Sequence, residues 1–150
     1  MFIVALIFNA NRMAQFKIIT ADSIQIKFNL YSKDAPITCK AFIQLLPFTK
    51  TFFHARVSGQ EIWTDDLTPL YIIQENASVF TQPGEVVLGP AAPARVKTVN
   101  CLGIYYGEGK GLDAANIFAK VAEEDAEKLK QLGNQVWRKG ETSLTFSIID

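Results

Sequence analysis

The residues with the widest chemical reach lie in one stretch, Thr51-Phe-Phe-His-Ala-Arg-Val-Ser-Gly-Gln-Glu-Ile-Trp-Thr-Asp-Asp66. It holds the single histidine, His54, then Arg56 two residues on, one of two tryptophans, Trp63, and the acids Glu61, Asp65 and Asp66. The pattern predicts two strands around a Ser58-Gly59 turn. Side chains alternate along a strand, so Phe53, Ala55 and Val57 are expected on one face, and Phe52, His54 and Arg56 on the other. The first face is wholly apolar. The second sets an imidazole and a guanidinium beside a ring, which suits an anion or an amide carbonyl. A plainer arrangement uses the same residues, with Arg56 paired to Glu61 or Asp65 on a solvated wall. Residues beyond a short turn return beside the first strand, which brings Trp63 near His54 and Arg56, with Glu75 expected close by. The candidate ligand-binding set is therefore His54, Arg56, Trp63 and Glu75; no catalytic residue is assigned. Such a site would take small carboxylic acids or acyl compounds. It would hold them better below neutral pH, where a protonated His54 adds a donor.

Other motifs carry less. Gly107-Glu-Gly-Lys-Gly111 fits neither the P-loop nor the dinucleotide spacing, and a solvated turn is expected there. Cys39 and Cys101 are not in a metal-ligand spacing, and with one histidine in the chain neither a zinc site nor any cofactor is expected. They fit small core residues in a reducing, cytoplasmic compartment. Asn76-Ala77-Ser78 matches a glycosylation sequon, taken as chance because no signal peptide is evident. Lys plus Arg and Asp plus Glu both number 15, without a basic stripe, which argues against nucleic acid. No apolar run reaches a membrane span. The partner classes left are a small-molecule ligand and a second copy of the chain in a homo-oligomer.

These residues need a scaffold. At 150 residues, 49% hydrophobic and 20% charged, the chain fits one folded domain with one core, and eleven Phe point to a core of rings. Met1–Phe8 is apolar and Asn9–Arg12 polar, but the start is not basic and Phe8 stands where a cleavage site needs a small residue. Residues 1–12 are therefore expected to be an extension, and 13–150 the compact domain. Gln15–Thr20 and Ser23–Tyr31 predict a hairpin, the second strand alternating Ile24, Ile26, Phe28 and Leu30 with polar residues. A helix is predicted over Pro36–Leu46, capped by Asp34 or Ser32, with Cys39, Phe42, Ile43 and Leu46 inward. A second is predicted over Glu123–Trp137, acidic first and basic last, with Ala126, Leu129, Leu132 and Val136 inward. Further strands are expected at Leu70–Gln74, Glu85–Gly89, Arg95–Tyr106 (broken near Asn100), Asn116–Val121 and Ser143–Ile149. The sum is a mainly β domain with two helices, a closed and mostly antiparallel barrel capped by helices.

The element order resembles the cyclophilin-like barrel. Ala35-Pro36-Ile37-Thr38 leading to Phe42 is similar to the helix after the first hairpin of cyclophilins. Thr51-Phe52-Phe53-His54-Ala55-Arg56 is similar to their Phe-His-Arg strand with one residue inserted. More closely, the chain resembles a family of uncharacterised bacterial cyclophilin-like proteins, a domain of unknown function. The matching pieces are His54–Trp63, Glu75-Asn76-Ala77, Pro83–Leu88 and Tyr105-Tyr106-Gly107. That resemblance implies the barrel and no established activity. The cyclophilin resemblance implies isomerisation of X-Pro bonds, a slow reaction across a high barrier, with Arg56 as the candidate donor to the prolyl nitrogen. The Phe-x-x-Gln-Gly-Gly-Asp, Asn-Ala-Gly-Pro and Gln-Phe-Phe segments of cyclophilins are absent. Three functions thus stand beside one another: a barrel binding a small ligand, a peptidyl-prolyl isomerase, and a structural or oligomeric protein without catalysis.

Overall fold

In the computed structural model, which describes residues 14–149, the alternating patterns become eight strands and two helices. The order is β1 (Gln15–Ile19), β2 (Gln25–Leu30), α1 (Pro36–Ile43), β3 (Phe48–His54), β4 (Gly59–Thr64), β5 (Ala77–Phe80), β6 (Glu85–Leu88), β7 (Leu102–Val121), α2 (Ala126–Lys139) and β8 (Glu141–Ile148). The extension expected over residues 1–12 lies outside the described residues.

The strands run β2-β1-β8-β3-β4-β7, all antiparallel, and the ring closes because β2 also pairs with β7, Phe28 opposite Val121. β6 is framed by the two ends of β7: Val86 lies opposite both Ile104 and Ala119. The middle of β7 must therefore loop away and return, and residues 107–114 form an arm that pairs with Gly59 and Phe80. The predicted barrel is thus present, mostly antiparallel and nearly closed.

Phe16, Phe28, Phe42, Phe52, Phe118 and Phe146 are fully buried inside it. Ring centroids lie 5.0 Å apart for Phe16–Phe28, 4.7 Å for Phe42–Phe118 and 5.5 Å for Phe52–Phe146. Such pairs contribute about 0.5–1.5 kcal/mol each beyond area burial. α1 supplies Cys39 and Phe42, and α2 supplies Leu129, Leu132 and Val136.

Several local expectations differ. α1 has no cap from Asp34 or Ser32; its free N–H groups are met by a distant side chain described below. Ala126 is exposed, and the buried residue at that end is Asp125, whose carboxylate accepts from the Lys27 N–H at 2.8 Å and pairs with Lys128 at 3.3 Å. Leu70–Gln74 pairs with no strand, although Leu70 and Ile72 pack on the core. Residues 97–100 are a turn, 95, 96 and 101 are irregular, and β7 begins only after Asn100, whose φ of 62° breaks the extended path. Ile148 is half exposed at the frayed end of β8.

Gly107–Gly111 is a strand of the arm and not a solvated turn. A Cβ at Gly109 would collide with the Ser58 carbonyl and come within 2.7 Å of the Tyr105 ring. A glycine there lets the arm lie directly on the β3–β4 turn, where Lys110 N–H donates to Ser58 O at 2.8 Å.

Candidate functional site

Phe52 and His54 share one face of β3 and Phe53 the other, as the alternation predicts, and it is the face of Phe52 that turns inward. Phe52 is fully buried in the barrel, while Phe53 is exposed on its outer side. β3 ends at His54, so Ala55 and Val57 do not follow strand parity. Pairing with β8 sets the phase instead: Phe48 stacks on Phe146 at 4.8 Å, and Phe52 and His54, four and six residues after Phe48, fall on the same side of the strand.

His54 therefore ends the inner face, at the rim of the barrel. Its Nδ1 lies 2.8 Å from the Ala55 carbonyl and its Nε2 2.8 Å from the Tyr106 hydroxyl. A carbonyl only accepts, so Nδ1 donates to it, and Nε2 is taken up by the Tyr106 hydroxyl. The ring also meets Trp137 edge-on at 4.7 Å. Both nitrogens are engaged within the protein, so the expected second donor, and the preference for acids below neutral pH built on it, have no basis in this geometry.

Arg56 lies in the turn after β3, exposed, on the wall of a large cleft. It forms no ion pair among the described residues, so neither Glu61 nor Asp65 neutralises it. Trp63 lies on the outer face of β4, flanked in register by Phe53 and Gly103, and lines the same cleft.

Glu75 is not brought to this group. It accepts from the N–H of Thr38 at 2.8 Å, from the Thr38 hydroxyl at 2.8 Å and from the N–H of Ile37 at 3.3 Å. It is the cap that α1 lacks locally, and a carboxylate at a helix start also complements the helix dipole. Its own N–H is fixed by Asn116 Oδ1 at 3.1 Å. Its role is structural.

The cleft, about 810 Å³, opens on the outer side of β4, β6 and β7, between the arm, the loop from Gly89 to Cys101 and the end of α2. Phe53, Val57, Trp63, Leu112 and Trp137 give it aromatic and aliphatic walls. Arg56, Lys97 and Asp113 are the charged residues on its exposed margin. The Asp113 carboxylate is held below its ordinary range by the N–H groups of Lys97 and Ala114 that it accepts, each at 2.8 Å.

One carboxyl lies deeper. Glu61 is only 9% exposed and shares the outer face of β4 with Trp63. Its Oε1 accepts from the Ser58 hydroxyl at 2.5 Å, and the Tyr105 phenol lies beside the same carboxyl. Burial pushes it up to about 7, against the opposing pull of those two hydroxyls. Gly103 makes room for it, since a Cβ there would overlap Oε2. The Tyr105 phenol is driven up by its own burial and by Glu61, so it stays a neutral hydroxyl. Thr81 and Thr98 line the cleft, but their hydroxyl oxygens are buried behind its surface without a hydrogen-bond partner among the described residues.

Cys101 also lines the cleft, but burial, Asp65 and Glu61 push its thiol up to about 11, which keeps it protonated at neutral pH. Among the described residues no three of His, Cys, Asp and Glu come together to hold a metal. The chemistry available is that of a proton-carrying carboxyl under an apolar cleft with a free guanidinium at its edge. Sequence reasoning treated Glu61 only as a partner for Arg56. The Ser58-x-x-Glu61 spacing was visible, but nothing in it showed that the turn folds the pair under the arm.

The family model described as "Protein of unknown function (DUF3830)" matches residues 18–148. This chain belongs to the DUF3830 family. The matched span contains every cleft residue named above. No curated protein matches the chain. Among solved structures, the DUF3830 fold is similar to McbB in complex with tryptophan, at TM-score 0.71 and 19% identity, over 89% of this chain and 44% of that one. The chain thus spans less than half of the McbB chain. It is also similar to a hypothetical protein from Archaeoglobus fulgidus, at TM-score 0.59 and 16% identity, covering 93% and 98% of the two chains. A third similar structure is a cyclophilin-type peptidyl-prolyl cis-trans isomerase of Cryptosporidium parvum, in the presence of the dipeptide Ala-Pro, at TM-score 0.58 and 19% identity, covering 91% and 99%. At these identities the likeness concerns the fold, and the cyclophilin-like barrel expected from sequence is the fold of this family member. No helix among the described residues is long and apolar enough to cross a membrane.

Proposed function

We propose that the protein binds a small organic anion, a carboxylic acid or acyl compound with an aromatic or branched apolar body, in the cleft beside Arg56. The observation that carries this is a guanidinium without an ion pair on the wall of a cleft lined by Phe53, Trp63, Leu112 and Trp137. Apolar walls with a few placed polar groups are how small-molecule sites are built. A planar guanidinium takes a carboxylate through two parallel hydrogen bonds, and such charge-assisted bonds are about twice as strong as neutral ones. Two structures of similar fold are described with molecules that bear a carboxylate, tryptophan and the dipeptide Ala-Pro. These guide the choice of probes; the cleft itself carries the assignment. No observation at the site favours the isomerase alternative, because Arg56 lies in a turn beyond β3.

A thermal-shift screen of aromatic and branched carboxylic acids tests this. The parent should rise in Tm with the best acids, and Arg56→Leu should lose most of the rise. Equal rises in both proteins would make Arg56 wall structure only, and the anion site would be withdrawn.

A further inference from the structure

We infer that the ligand of this cleft also carries a protonated amine, seated on Glu61, so that the preferred class is an amino acid or short peptide N-terminus with an aromatic or branched side chain. This rests on the cleft being a ligand site, as proposed above, but on a different residue.

The case begins with charge balance. Glu61 is nine-tenths buried on the floor of the cleft, and its carboxyl accepts from the neutral Ser58 hydroxyl at 2.5 Å, with the neutral Tyr105 phenol beside it. The other ionisable groups around the cleft are His54 from β3, Arg56 from the turn, Lys97 and Cys101 from the loop ahead of β7, Tyr105 from β7 and Asp113 from the arm. None forms an ion pair with Glu61 among the described residues. A buried carboxylate with no counter-charge is costly, and burial accordingly raises Glu61 to about 7, so that part of the population keeps its proton at neutral pH. A ligand ammonium supplies the missing charge in the one direction left, toward the cleft. It brings three donors, and the Glu61 carboxylate oxygens can accept from them. The cations, Arg56 and Lys97, lie at the exposed margin while the acid lies beneath. A molecule with an ammonium and a carboxylate at its polar end and a ring at the other matches that division, the ring meeting Trp63, Phe53 and Leu112.

The arrangement has a consequence that a neutral hydrogen bond to Glu61 would lack. Seating a cation requires the carboxylate form, so binding expels the Glu61 proton. For a group that titrates near 7, about 0.9 proton leaves per amine bound at pH 6 and about 0.1 at pH 8. Amine affinity should then fall close to tenfold from pH 8 to pH 6.

The test is calorimetric titration of the whole chain with three matched probes, 3-phenylpropionate, phenylalanine and phenethylamine, in two buffers of different ionisation enthalpy. Phenylalanine should bind about tenfold or more tightly than 3-phenylpropionate at pH 8. Its proton release should follow the values above, and Glu61→Gln should abolish both the advantage and the release. The proton count needs no variant, so it decides even where Glu61→Gln fails to fold. If 3-phenylpropionate binds as tightly as phenylalanine with no proton released, the amine seat is wrong while the anion site stands. If phenethylamine binds with proton release and 3-phenylpropionate does not bind, the amine seat stands and the Arg56 reading falls. If none of the three binds, both fall.

Discussion

Glu61→Gln should flatten a pH dependence of stability that the parent protein shows. In the folded chain burial raises this carboxyl from its ordinary 4.5 to about 7; in the unfolded chain it titrates near the ordinary value. Between those pH values the folded state holds a proton that the unfolded state has released. Stability linked to Glu61 is therefore fully present below about 4.5, declines as pH rises through this window, and is lost above 7. The rise from 4.5 to about 7 corresponds, at about 1.4 kcal/mol per pH unit, to roughly 3 kcal/mol. For a domain of this size each kcal/mol moves Tm by about 2–4 °C, so Glu61 alone should lower Tm by roughly 6–12 °C between pH 4.5 and pH 8. Glutamine keeps an acceptor for the Ser58 hydroxyl, yet cannot ionise. The assay is thermal unfolding of parent and Glu61→Gln across pH 4.5 to 8.5, read as the difference between the two curves so that other titrating groups cancel. The variant should gain on the parent as pH rises and overtake it or draw level above pH 7. Parallel curves would refute the buried, proton-holding carboxyl, and with it the charge argument for the cleft.

Other outcomes follow from single contacts. Gly133→Ala should lower Tm by up to roughly 8 °C, because a Cβ there would overlap the Tyr106 ring and overpacking of about 1–3 kcal/mol offsets or exceeds the helix-propensity gain of about 1 kcal/mol; a rise in Tm would contradict this, and Asn134→Ala on the exposed face is the control. Glu75→Ala should cost about 1–3 kcal/mol by uncapping α1 while leaving carboxylic-acid affinity unchanged, measured by denaturant unfolding and by titration. In a protease-coupled assay on a Pro-containing peptide the protein should give no more than trace acceleration; robust turnover that collapses in Arg56→Ala would restore the isomerase function.

The barrel was legible because its signals are local and repeated. β2 alternates cleanly, α1 and α2 carry apolar stripes, and Pro36 and Gly140 sit at helix ends where their backbone geometry is wanted. Three of the four candidate residues were placed together for the same reason: His54, Arg56 and Trp63 flank a short turn and line the cleft. The misses arise where distant pairing decides. The phase of β3 depends on Phe48 meeting Phe146, almost a hundred residues away in the chain, so the faces of Phe52 and Phe53 could not be assigned from 51–57 alone. Glu75 caps a helix 37 residues earlier in sequence, a contact without a local signature. Glu61 looks like any strand acid until the arm of β7 covers it, and the glycines that permit this, Gly103 and Gly109, resemble turn residues in sequence. His54 attracted attention as the lone histidine, but Tyr106 and the Ala55 carbonyl occupy both its nitrogens.

The most direct measurement of the central claim is a crystal structure of the protein with an aromatic carboxylic acid such as 3-phenylpropionate. The account predicts the ring against Trp63 in the cleft and both carboxylate oxygens within about 2.7–3.0 Å of the Arg56 guanidinium. Well-ordered ligand elsewhere on the barrel, or a cleft that stays empty at saturating acid, would contradict it.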